Sequence, residues 1–329
     1  MTSARRTRVV TLARHEYRAA VRSRALVAVL AVLVLTTIAS VYIGAADYRS
    51  QLADYNAYKA AAQAGGITQI PPAPLALLSL LRGAMEYLEI IGAVIAITLG
   101  YLSVSRERAN RTLALIRSRP VTPGELAAGT SLGAVGLIST LVAMTAVVGV
   151  VCLGMIGHDW INGVQALKLL LAYLASIVYM TTFFALGVIC TARSRVAANG
   201  LVVALAIWLM VVLVIPQIGD TLDADNQVPG GLFASLGLGK PGETAILTHF
   251  TTYEQVRTGI EATSLAKHYE RFAFAMIDVK AKYRGFSLGH LLAIKRIEIE
   301  WLAVYAIAIG AGLRRTLRRQ PAVPQGGQP

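Results

Sequence analysis

Two apolar runs, Ala84–Val104 and Ser131–Ile156, are long enough to cross a membrane and too long to sit comfortably in a soluble core. Each has about 20 residues or more, the length a helix needs to traverse a hydrocarbon layer roughly 30 Å thick. Between them lies Ser105–Gly129, where Arg106, Arg108, Arg111, Arg117 and Arg119 face only Glu107 and Glu125. A basic loop joining two spans marks the cytoplasmic side. Leu113, Leu115 and Ile116 give its Arg108–Ser118 part an apolar stripe at helical spacing, and Pro120-Val121-Thr122-Pro123 ends it. The pattern predicts a short cytoplasmic helix within 106–119, after which Gly124-Glu125-Leu126 re-enters the membrane.

Composition agrees with a polytopic membrane protein: 55% of residues are apolar and 15% charged. A net charge of +13 would suggest nucleic acid for a soluble chain, but its distribution points elsewhere. Eighteen basic residues, all Arg, cluster at 1–24, 106–119, 193–195 and 314–319, opposed by Glu16, Glu107 and Glu125. The other thirteen, with every Lys, share the opposite side with fifteen acids. That asymmetry follows the positive-inside rule and makes anionic lipid, not nucleic acid, the expected partner of the Arg clusters.

In chain order, Met1–Arg24 lacks the continuous apolar run and cleavage site of a signal peptide. Val9, Val10, Leu12, Ala13, Tyr17, Ala20 and Val21 recur at helical spacing, with Arg14, Arg18 and Arg22 on another face. This predicts an amphipathic helix over 1–24 in the inner interface. Spans one to five fill 25–216: Ala25–Ala46 is the first, followed by a separate external helix over Asp47–Ala64 that Gly65-Gly66 ends. Span four is Ala166–Ala192, and span five is Val196–Ile215, stopping at Pro216. An external segment follows over 217–290, a loop across Asp220–Gly242 and then one amphipathic helix across Thr252–Tyr283, where Leu265, Tyr269, Phe272, Met276, Val279 and Tyr283 recur at spacings of four and three. Span six is Leu291–Leu313, and 314–329 is a cytoplasmic tail. The fold class is therefore all-α: six transmembrane helices, an N-terminal interfacial helix, and a helical external segment between spans five and six. That external helix could pack on the outer ends of the spans, cover a cavity, or dock an external partner.

Charged residues at membrane depth form the second clue. Arg82, Glu86 and Glu89 share one face of span two, and Lys295, Arg296, Glu298 and Glu300 crowd the start of span six. A charge at mid-membrane costs about 2.5–3.5 kcal/mol on insertion scales, so these belong at the outer rim or in a wet cavity. They would form either ion pairs tying spans two and six together or a polar outer vestibule. Gly129, Gly133, Gly136, Gly310 and Gly312 suit close helix packing. Cys152 and Cys190 lie in apolar runs without CxxC spacing and read as reduced packing residues. Ser131 has no His within a span to activate it. Gly239-Lys240 lacks the remainder of a phosphate-binding loop, so neither nucleotide, metal nor catalysis is expected of the chain itself.

The stretch RERANRTLALIRSRPVTPGELAAG resembles the segment between spans two and three of ABC-2 type permeases, the NosY-like and gliding-associated groups. Glu107, Thr112, Leu113, Leu115, Ser118, Pro120, Val121, Thr122, Leu126 and Gly129 match the usual pattern; Arg111 replaces a Gly and Thr130 a Lys. The resemblance implies a permease subunit of an ATP-driven exporter, without enzymatic activity, in the bacterial cytoplasmic membrane with both termini inside. It implies two copies of a separate ABC ATPase, holding ATP and Mg, docked beneath a homodimer or a pair with a sister permease. Glu107, Arg111, Thr112, Leu113, Ile116 and Pro120 would carry the coupling. The rival reading is a non-transporting scaffold or mechanotransmitter acting through an external partner.

Overall fold

The structure, a computed structural model, describes residues 3–22, 24–64, 76–109, 122–157, 160–222, 236, 240–279, 283 and 285–319. Those residues form helices and no strands. In order they are α1 (Ser3–Val21), α2 (Arg24–Gln63), α3 (Arg82–Ala109, after a 3₁₀ turn Leu77–Leu81), α4 (Pro123–Gly157) and α5 (Gly163–Arg193). Then come α6 (Ala197–Trp208), a π-helical stretch Leu209–Val214, α7 (Ile215–Leu222), α8 (Lys240–Thr248) and α9 (Thr251–Ala262). The last are α10 (Leu265–Met276), α11 (Leu288–Ile294) and α12 (Arg296–Arg319). Among the described residues, five stretches are long and apolar enough to cross a membrane: Leu30–Gln63, Leu77–Arg106, Gly124–Met155, Gly163–Arg193 and Ala197–Leu222.

Helices α3 and α5 form the centre, 61% buried along their apolar windows against 17% for Ala197–Leu222. They cross backbone to backbone: a Cβ on Gly100 would collide with the Phe184 carbonyl, and one on Gly187 would come 2.5 Å from the Ile97 carbonyl. Neither glycine stood out in the sequence. Of those that did, Gly129 and Gly133 seat α1, Gly136 lies near Tyr17, Gly312 touches Ile189, and Gly310 meets nothing within 4 Å. Cys152 and Cys190 are free and half-buried.

Several boundaries differ from those the sequence suggested. The first span and the helix after it are one 40-residue helix, α2, about 60 Å long at 1.5 Å per residue. No Pro or Gly interrupts 45–63, so nothing stops propagation there. The helix across Thr252–Tyr283 is two, α9 and α10, broken at Thr263-Ser264, where Ser264 caps α10 by accepting from Lys267 N. The predicted loop over Asp220–Gly242 loses both ends to helix, in α7 and α8. Span six divides at Lys295 into α11 and α12. The uncharged part of α12, Trp301–Leu313, covers only about 20 Å at 1.5 Å per residue. It falls short of what composition alone requires of a span.

Span five does not stop at Pro216. Its backbone shifts to i→i+5 bonding, with Ile215 N–H donating to Met210 O, and helix continues to Leu222. In that register the Val211 carbonyl would take its bond from residue 216, which as proline has no N–H. The Ser264 hydroxyl takes that place, donating to Val211 O at 2.7 Å. One side chain thus caps α10 and satisfies a carbonyl freed by a proline in span five. Ser264→Ala should cost about 1–3 kcal/mol for the stranded carbonyl, read as a lowered Tm. In a Pro216→Ala background, where an N–H is restored, the same substitution should cost distinctly less. Equal costs in the two backgrounds would refute this pairing.

Candidate coupling end and polar cluster

The Arg-rich ends of the helices gather at one end of the bundle. Thr122 and Glu125 form a capping box at the start of α4: Thr122 N donates to Glu125 Oε2 at 2.8 Å and Glu125 N to Thr122 Oγ1 at 3.3 Å. The T-P-x-E pattern encodes it, with proline at the first helical position, a signal passed over in reading Pro120-Val121-Thr122-Pro123 only as the end of the preceding helix. Arg5 and Arg8 of α1 approach the same buried carboxylate at 4.0 and 3.7 Å. Helix α1 lies along α4, where Gly129 and Gly133 leave room for it; a Cβ on Gly133 would come 2.8 Å from both the Ala13 carbonyl and Glu16 Cβ. Tyr17 Oη and Thr140 Oγ1 are 3.2 Å apart.

The base of α3 is tied to two neighbours. Arg106 Nη2 donates to Glu16 of α1 at 3.1 Å. Arg108 donates to the Ala192 and Ser194 carbonyls at 2.9 and 3.0 Å, a guanidinium at the negative end of α5. Between α1, α3, α4 and α5 an apolar cavity of about 160 Å³ opens beside the Glu16–Arg106 pair. Of the coupling residues read from the sequence, Glu107 falls on the last turn of α3, its side chain outside the described residues. Arg111, Thr112, Leu113, Ile116 and Pro120 lie outside them altogether, as does most of the predicted helix within 106–119. The sequence reading missed Arg106 and Arg108 as ties, because their partners are 84 to 90 residues away.

At the opposite end, α10 is not laid over the spans but inserted among them. Nine of its twelve residues are buried, including Tyr269, Phe272 and Met276 of the predicted stripe. Tyr269 Oη lies 2.8 Å from Ser176 Oγ, thirteen residues into α5 and so about 20 Å along it. The Tyr269 ring stacks on Tyr179 at 4.6 Å between centroids, and Tyr179 Oη donates to Glu89 O at 3.0 Å. Lys168 of α5 donates to both Asp278 oxygens at 2.9 and 3.0 Å, both residues buried. Asp278 adopts φ 54°, a left-handed conformation Asp tolerates.

Further charges crowd the α7–α9–α10 junction. Lys267 meets Asp220 of α7 and Glu270 at 3.1 Å each. Burial pulls the Lys267 ammonium down, but the two carboxylates outweigh it and hold its pKa above the ordinary value. Glu261 holds Arg257 at 3.6 Å and also pairs with Arg271. His268 stacks on Trp301 of α12; burial lowers its pKa first, with Arg271 adding to the effect.

The ion pairs expected between spans two and six are instead local. Arg82 pairs with Glu86 one turn along α3 at 2.8 Å, Lys295 with Glu298 at 3.1 Å, and Arg296 with Glu300 at 2.6 Å. Spacings of three and four put each acid beside its own base before any other helix can reach it. Glu89, 8% exposed, is buried, and its backbone carbonyl accepts from Tyr179 Oη. What ties span two to the later chain is α10: Arg82 stands 5.5 Å over the Phe274 ring.

Two comparisons bear on identity. The family model described as ABC-2 family transporter protein matches residues 10–292, most of the chain. The chain belongs to the ABC-2 transporter family. No curated protein matches it. As an ABC-2 family member it is an integral membrane protein, a role its five apolar helices suit. Gly133→Val should displace α1 from α4 while leaving the spans inserted. Hydrogen exchange across 3–21 would rise, with exchange in α5 unchanged; unchanged protection of α1 would show that the glycine is not its seat.

Proposed function

We propose that this chain is the permease subunit of an ATP-driven exporter, of the NosY-like kind, coupled to two copies of a separate ABC ATPase that bind ATP and Mg. The observation that carries the reading is the bracing of the α3 base. Arg106 and Arg108 fasten the point where the 110–121 segment departs to α1 and to the end of α5. A push on that segment reaches three helices at once. Family membership supports a separate ATPase as the motor, and the resemblance assigns docking to Glu107, Arg111, Thr112, Leu113, Ile116 and Pro120.

In this reading the Arg-rich end is cytoplasmic and both termini lie there, in a bacterial inner membrane whose anionic lipids meet the Arg clusters. Helix α12 is the sixth span, its short apolar stretch extended by the Lys295–Glu298 and Arg296–Glu300 pairs at the outer rim. Two permeases pair, with a second copy or a sister chain, over the bare apolar face of Ala197–Leu222 that exposes Val202, Val203, Met210 and Leu213.

Leu113→Asp would put an unpaired charge into an apolar docking groove and cost a few kcal/mol of association. That variant and Glu107→Lys should insert and fold, but lose the ATPase on copurification and lose cargo-stimulated hydrolysis in nanodiscs. Normal behaviour of both would place the docking elsewhere. For topology, Gln255→Cys, exposed on α9, should react with an impermeant thiol reagent in intact cells while Arg195→Cys stays protected. The reverse pattern would invert the orientation.

A further inference from the structure

Helices α2 and α3 part near the α10 end to leave a cleft of about 370 Å³. Its α2 wall runs from Ser40 to Gln51, about 16 Å at 1.5 Å per residue, which is close to one leaflet of a hydrocarbon core roughly 30 Å thick. Ile43, Leu80 and Ile90 make it apolar inside. Beside it α2 exposes Ile38, Tyr42 and Ile43, so the cleft opens sideways onto a surface suited to hydrocarbon. The walls come closest at Gly83, where a Cβ would collide with the Ser40 hydroxyl.

Its lip is charged. Arg82 Nε donates to Glu86 Oε1 at 2.8 Å, with side chains 59% and 40% exposed. Tyr48 and Tyr87 line the same cleft. An exposed pair within one helix contributes only about 0.3–0.5 kcal/mol to the fold, so the pair is not there mainly for stability. A guanidinium binds phosphate through paired N–H donors, and a carboxylate beside aromatic rings suits an ammonium. A head carrying only negative charge would meet Glu86 unfavourably.

We propose that this cleft binds a zwitterionic phospholipid of the surrounding bilayer, its phosphate on Arg82, its ammonium at Glu86 between Tyr48 and Tyr87, and an acyl chain along Ile43, Leu80 and Ile90. The site needs no ATPase and does not depend on the transport reading, so it is tested on the permease alone. The full chain is placed in phosphatidylglycerol nanodiscs doped with a photoactivatable phosphatidylethanolamine, and adducts are mapped by peptide mass spectrometry. Labelling should concentrate in 40–51 and 79–90. Unlabelled phosphatidylethanolamine should compete about five-fold better than added phosphatidylglycerol, the return on one favourable charge pair at a surface. Glu86→Gln should abolish that preference with an unchanged Tm, and Arg82→Gln should weaken labelling altogether, with circular dichroism showing both variants folded. Equal competition by the two lipids, insensitive to both substitutions, would mean ordinary annular lipid and overturn the proposal. So would absence of label from both strips, which would leave the cleft to protein such as a second copy.

Discussion

A carbonyl inside a membrane must find a donor without help from water, and this rule governs the π-helical stretch of span five. Proline at 216 removes the N–H that the π-helical register would offer Val211. The bond comes instead from Ser264, 53 residues later. Because Ser264 also begins α10, satisfying that carbonyl fixes where the segment after span five must enter the bundle. Tyr269 then reaches Ser176 and the Tyr179 ring, and Phe274 lies under Arg82. The segment is therefore a part of the membrane domain's core, not a cover upon it.

The charges obey the same rule on a larger scale. Lys168 and Asp278 are buried together, each carboxylate oxygen within hydrogen-bond reach of the ammonium. Burying two ions repays desolvation only with such geometry, which makes the pair a specification of position more than a source of stability. Lys267 is shared by Asp220 and Glu270 for the same reason. At the other end arginine is used throughout, and Arg108 shows the advantage of its planar fork: it reaches two carbonyls at the end of α5 at once.

Much of this was legible in the sequence. Apolar runs located the five apolar helices, because twenty apolar residues in a row have few soluble alternatives, but not all their ends: the first runs on to Gln63 and the fifth to Leu222. The stripe Leu265, Tyr269, Phe272 and Met276 correctly marked a buried face. What it packed against was not legible, since an amphipathic period says which side is covered and not by what. Proline at 216 read as a stop because the compensating hydroxyl is remote in sequence. The rim acids drew attention to Lys295 and Arg296 by composition, whereas local i,i+3 and i,i+4 geometry had already paired them. The glycines at 100 and 187 sat in apolar context without the regular spacing that made Gly129 and Gly133 conspicuous.

The packing also divides the spans by how freely each can move. Helices α3 and α5 meet through Gly100 and Gly187 with no side chain between their backbones, so neither can slide without displacing the other's carbonyls. Arg108 pins their Arg-rich ends together, and Tyr179 Oη on Glu89 O pins them toward α10. Packed interiors are stiff, and these two helices form a single strut. Helix α2 and the Ala197–Leu222 span bury far less of themselves within the chain. Any shift of the strut would thus carry α10 with it, while α2 and the Ala197–Leu222 span, less buried within the chain, are held to it less tightly.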